Sequence, residues 1–110
     1  MTLEATETEC AANAVAPRVS LGSMEDKIVA RYDFVADTAV DSMHVHESLK
    51  VLSICLLVME NGFVLVGKSA PASAANFNAE LGAKLAYEDA IRQLWPLEGY
   101  LLRTKLTEDK

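Results

Sequence analysis

The sequence predicts an α+β protein, and three observations predict it. Two runs rich in β-formers, Leu49 to Glu60 and Phe63 to Ser69, flank the pair Asn61-Gly62. A segment with helical spacing precedes them from Ser23, and a long helical pattern follows from Asn78. The chain has 110 residues, 51% of them apolar, which is material for one domain around one core. The expected order is an N-terminal helix, a two-stranded antiparallel hairpin and a long C-terminal helix kinked at Pro96.

Residues 1–19 read as a disordered acidic leader. Glu4, Glu7 and Glu9 stand among scattered alanines without a sustained period, and Pro17 closes the stretch. Residues 20–106 then form the single α+β domain. Ser23 is a suitable N-cap, and Glu25 and Asp26 put negative charge in a first turn, where the helix dipole favours it. Ile28, Val29, Tyr32, Val35 and Ala36 follow at helical spacing. The stretch from Ala39 to Glu47 has little pattern.

Asn61-Gly62 has the composition of a two-residue turn with positive φ at both positions. Such a turn sets Glu60 opposite Phe63, Val58 opposite Leu65 and Leu56 opposite Gly67. One sheet face would carry Ile54, Leu56, Val58, Phe63 and Leu65, and the other Cys55, Leu57, Met59, Val64 and Val66. Both faces are apolar, and an isolated hairpin is marginal. A second copy would cover what one short helix cannot, so a homo-oligomer, a dimer or higher, is expected.

Asn78 is a plausible cap for the main helix, with Glu80 in its first turn. Ala79, Ala83, Ala86, Ala90 and Leu94 fall on one stripe, widened by Tyr87 and Ile91, while Leu81 and Leu85 lie nearly opposite. Pro96 lacks an N–H and clashes one turn back, which predicts a kink or restart at Trp95-Pro96. Leu97, Leu101, Leu102 and Leu106 are the apolar positions of the last segment, and residues 107–110 are expected to fray.

Lys+Arg total 10 against 16 Asp+Glu, a net charge of −6. That balance repels a phosphate backbone and disfavours nucleic-acid binding. Such binding would need Arg31, Lys50, Lys68, Arg92 and Arg103 on one face. Cys10 and Cys55 make no disulfide framework, in keeping with a reducing compartment. The opening MTLEATETEC lacks a signal peptide's basic and apolar regions, and the apolar run Val51–Met59 is too short to span a bilayer. A soluble protein with no membrane partner is expected.

No catalytic set stands out, so neither an enzyme nor a bound cofactor or metal is expected. His44-x-His46 beside Glu47 is the one metal-like spacing, but a closed zinc site wants four ligands. Cys55 sits among apolar neighbours, where a thiol is usually inert, and Ser69 has no evident base. Lys84, Glu88 and Arg92 are spaced i,i+4 and read as a solvated, salt-bridged helix face. The remaining candidate is a ligand site made of Asn76, Phe77, Trp95, Tyr100 and Arg103. Rings and a guanidinium can stack on a base and hold a phosphate, provided they converge at an oligomer cleft.

The stretches NGFVLVGKSA and NFNAELGAKLAYEDAIRQLWPLEGYLL resemble a family of small tailed-phage proteins. It is typified by the gene-forty-nine and gene-sixty-six products of two enterobacterial phages. The resemblance spans Leu49 to Leu106. It rests on Asn61, Gly62, Phe63, Gly67, Ser69 and Ala70, then on Asn76, Phe77, Gly82, Ala86, Ala90 and the run Trp95 to Tyr100. It implies a phage or prophage product acting in the cytoplasm of the infected bacterium, and it brings no activity onto any residue. The resulting expectation is a non-catalytic accessory protein of host takeover or counter-defence that captures a host protein or a small nucleotide signal. The alternative is a nucleotide-acting enzyme or metalloprotein using His44, His46 and Glu47.

Overall fold

The computed structural model describes residues 2–41 and 43–109. A short helix, α1 (Leu3–Asn13), is followed by α2 (Leu21–Glu25) and then by strand β1 (Ile28–Val35). Two 3-10 turns, Ala36–Ala39 and Glu47–Val51, lead to β2 (Ser53–Met59) and β3 (Val64–Ser69). A third 3-10 turn, Ala74–Asn76, precedes α3 (Ala79–Glu108). The strands form one antiparallel sheet in the order β1-β2-β3. The class is α+β as expected, but the sheet has three strands where the sequence predicts two.

The added strand is the segment read as the first helix. Ile28, Val29, Tyr32, Phe34 and Val35 are β-branched or aromatic and suit a pleated surface, although their spacing also matches a helix. Alternation is hidden for two reasons. The register shifts between Ile28 and Ala30, so Val29 bulges out of the ladder. The side of β1 that faces the core carries Arg31 and Asp33, partners of Leu57 and Cys55, and an edge strand tolerates such charges. What remains helical is the brief α2, capped not by Ser23 but by Ser20, whose Oγ accepts from Ser23 N at 3.1 Å.

Where the sequence reads a disordered leader over residues 1–19, the structure has α1. Thr2 caps it, and Leu3 is its one buried residue, joining the core cluster. Glu7 ties it down by accepting from Leu21 N and pairing with Arg18. Burial alone would raise the Glu7 carboxyl pKa, but these partners hold it below the ordinary value. The anchoring depends on Arg18 and Leu21, 11 and 14 positions beyond Glu7, so local periodicity carries no sign of it.

The hairpin turn also differs from the two-residue reading. Leu57 faces Leu65 and Val58 faces Val64, which leaves a three-residue loop, Glu60-Asn61-Gly62. Gly62 N donates to Met59 O at 2.8 Å and Met59 N to Phe63 O at 2.9 Å. Only Gly62 has positive φ, at 87°. Asn61 keeps negative φ and its Oδ1 accepts from Phe63 N at 3.0 Å. This is the turn that ends in a left-handed glycine, the next commonest hairpin connection. The two turn positions therefore differ in what they require. Gly62→Val is expected to cost about 2 kcal/mol, and Asn61→Val, which loses one side-chain hydrogen bond, about 1 kcal/mol. Urea denaturation of the two variants checks this, and equal losses would contradict the three-residue loop.

The one-residue change in register re-sorts the faces. Ser53, Cys55, Leu57, Met59, Leu65 and Gly67 now share the side covered by α3, where each is buried. Ala86, Ala90, Ile91 and Leu94 meet them from the helix, and Met24 of α2 closes the cluster. The opposite face is open. It carries Tyr32 and Phe34 of β1, Ile54, Leu56 and Val58 of β2, and Val64 and Val66 of β3.

Of the kink or restart the sequence predicts at Trp95-Pro96, the restart does not occur, since the main helix is continuous through Pro96. The proline leaves the Arg92 carbonyl without its helical partner, a loss that costs least on an exposed side of the helix, where Arg92 lies. The helix also continues past Thr107 to Glu108, where fraying was expected, and Lys110 lies outside the described residues. The predicted charged face is corrected too. Glu88 is buried, its Oε2 has no hydrogen-bond partner, and neither Lys84 nor Arg92 forms a salt bridge among the described residues. α3 is packed on more than one side, by the sheet and by α2, where Tyr87 Oη donates to Glu25 at 2.6 Å. Positions that a one-sided helix leaves in water are thereby enclosed.

Candidate functional site

The five residues expected to converge do not do so within one chain. Asn76 and Phe77 precede the start of α3, while Trp95, Tyr100 and Arg103 lie far along it. The Phe77 ring lies beside Gly82, and at about 1.5 Å per residue Gly82 and Trp95 are roughly 20 Å apart along the helix axis. Phe77 and Asn76 line a cleft of about 90 Å³ with Ser53 and Gly82. Trp95 packs half-buried against the core cluster. Tyr100 is 78% exposed and Arg103 is exposed beyond it.

His44 and His46 lie in the segment before the second 3-10 turn. His46 Nδ1 accepts from Ser48 N at 3.1 Å, so one of the two rings caps a turn. No cluster of three or more His, Cys, Asp or Glu suited to a metal occurs among the described residues. Cys55 is fully buried, and burial, with Asp33 adding to it, pushes its thiol up to about 11. A thiol so placed holds its proton at neutral pH and is a poor nucleophile. Ser69 faces Ser53 across the β2–β3 ladder.

A different place is built as a site. The hairpin tip and the distal half of α3 enclose a groove of about 360 Å³. Met59, Phe63, Leu94, Leu97 and Leu101 supply its apolar walls, and Lys27, Lys105, Glu60, Asn61 and Glu98 its rim. Two hydrogen bonds hold these elements together. Glu60 N donates to Lys27 O at 2.8 Å, which pins the hairpin tip to the start of β1. Lys27 Nζ donates to Glu98 Oε2 at 2.7 Å, which pins that start to α3. Leu97 and Leu101 come to the groove one helical turn apart.

Lys105 lies on the same helix face and forms no salt bridge among the described residues. On the other side of the Lys27–Glu98 pair a second cavity, of about 150 Å³, shares Leu101 and Lys105 and adds Arg18. The groove thus offers aliphatic walls, an exposed ring in Phe63 and a rim where Lys27 is paired with Glu98 and Lys105 forms no salt bridge among the described residues. That composition suits a ligand with an apolar or aromatic body and an anionic group. The sequence hid it because its residues come from four separate places, the α2–β1 junction, β2, the turn and the far half of α3. The one signal was the apolar set Leu97, Leu101 and Leu102 on a segment that reaches past the sheet.

The open sheet face is the other unpartnered surface, with Tyr32 58%, Val64 49% and Val66 51% exposed. No helix among the described residues is long and apolar enough to cross a membrane. The family model described as Phage protein (N4 Gp49/phage Sf6 gene 66) family matches residues 20–106, the whole of the chain from α2 to the end of the distal leucines. No curated protein and no solved structure matches the chain.

Proposed function

The chain belongs to the phage protein family of N4 Gp49 and Sf6 gene 66, and from its groove we propose that it acts by non-catalytic binding. Its place of action is the cytoplasm of the infected bacterium, in host takeover or counter-defence. The captured species is a small nucleotide signal or a host protein. The single observation that carries this reading is the groove between the hairpin tip and α3, with its apolar walls and Lys105 at its rim. Phe63, 52% exposed, supplies a face for stacking, and Lys105 supplies charge for a phosphate. A groove of that size fits a small ligand or a few side chains of a partner.

Titration calorimetry of the native protein against mononucleotides, dinucleotides and their cyclic forms tests the small-ligand arm. Phe63→Ala and Lys105→Ala are expected to weaken binding at least about tenfold each, equivalent to about 1.4 kcal/mol. Both residues are exposed, so the fold should tolerate the changes. Capture of a host protein from a lysate, lost in the same two variants, supports the protein arm. Ligand recovered unchanged after incubation agrees with a non-catalytic role. Product in the recovered fraction would overturn it, and unchanged binding in both variants would remove the groove from consideration.

A further inference from the structure

We infer that the open face of the sheet is the contact between two copies of this chain, packed face to face about a two-fold axis along β2. The face is built from Tyr32, Leu56 and Val66 in one row across the strands, with Ala30, Val58 and Val64 in the row beside it. A third row holds Phe34, Ile54 and Lys68. Lys68, at a corner, is its one charge, in a chain where 24% of residues are charged. Neither α3 nor α2 reaches this side, because both pack on the face of Leu57 and Cys55.

Area, charge and shape select a second copy as the occupant. Strands lie about 4.8 Å apart with about 3.4 Å rise per residue, so with side-chain relief this face offers on the order of 500 Å² per copy. A pair then buries about 1,000 Å², which reaches the lower limit of a specific interface. Two copies each bearing −6 repel wherever their charges meet. This face is where they can meet almost without charge. The axis along β2 sets β1 of one copy over β3 of the other. Tyr32 then lies over Val66, and Phe34 over Lys68, so large side chains meet smaller ones and the ammonium meets a ring. Aligned packing of two sheets is a common solution for such faces.

Growth at the β3 edge is closed. Asp89 Oδ2 accepts from Lys68 N at 3.0 Å, and Gln93 Nε2 donates to Val66 O at 2.9 Å, so side chains of α3 occupy the outward groups of that strand. Association through that edge would break both bonds, whereas the face needs nothing removed.

Light scattering on the native chain tests the inference. The expected result is twice the monomer mass at high micromolar concentration, falling to monomer mass on dilution. Val66→Glu and Tyr32→Glu are expected to raise the dissociation constant at least tenfold, with circular dichroism unchanged because both positions are exposed in the single chain. The milder Val66→Thr and Tyr32→Thr keep the test open if the charged variants precipitate, with a smaller shift in the same direction. A native species at monomer mass throughout overturns the inference. So does a dimer whose dissociation constant none of the four variants moves, since its contact would then lie elsewhere.

Discussion

Replacing Gly67 by alanine is expected to destabilise the protein by about 3 kcal/mol or more, although it adds one methyl group. Gly67 lies in β3 where α3 crosses closest to the sheet. A Cβ there would run into the carbonyl oxygen of Ala86 and stand 2.9 Å from the backbone nitrogen of Ala90. The obstacle is helix backbone, so no side chain can rotate out of the way. The whole of α3 would have to lift from the sheet, opening contacts around Ala86, Ala90 and Leu94, which are all buried. For a domain with typical stability of about 5–15 kcal/mol, such a loss lowers the melting temperature by roughly 12–24 °C. Gly99→Ala is the control. It lies on the distal part of α3 with nothing within 4 Å of its added Cβ, and alanine there favours the helix by about 1 kcal/mol. Opposite signs in thermal melts are expected, and a neutral Gly67→Ala would mean that helix and sheet are farther apart than described.

The same alanines were legible in the sequence, for a physical reason. A stripe of small residues at helical spacing has one use in a chain this size, a close approach, and α3 uses it against Gly67. The hairpin was legible because Asn-Gly between two β-rich runs has few alternatives. β1 was not. Its apolar residues fit a helix as well as a strand, its bulge at Val29 interrupts alternation, and Arg31 and Asp33 stand where a core-facing pattern calls for apolar groups. Those charges are satisfied by geometry that only the fold provides, with Arg31 paired to Asp33 at 2.8 Å and its guanidinium 4.2 Å from the Tyr87 ring centre. The groove was hidden in the same way. Lys27, Phe63 and Lys105 are unremarkable in sequence and come to one groove only when the hairpin tip meets α3. That both sheet faces are apolar followed from composition, whereas which residues share a face depended on the length of one turn.

That dependence makes the hairpin register the sharpest remaining test. Leu57→Ala and Leu65→Ala are each expected to cost about 3 kcal/mol or more, and Val64→Ala and Val66→Ala less than about 1 kcal/mol. Leu57 is fully buried in the central strand and Leu65, directly opposite it, is 4% exposed. Both point at the α3 stripe, so truncation leaves a cavity that backbone on either side keeps from collapsing. Val64 and Val66 alternate with Leu65 on the same strand and point to the open face, where truncation leaves no cavity in the single chain. A two-residue turn would reverse the β3 half of this pattern, placing Val64 and Val66 beside Leu57. Leu57→Glu, which would dissociate an oligomer if Leu57 lay at the contact, should instead abolish folding, because it buries a carboxylate in the core. Denaturation midpoints measured at low protein concentration, where association through the open face is absent, separate the two registers. Large losses at Val64 and Val66 with a mild loss at Leu65 would restore the shorter turn and move the core to the other side of β3.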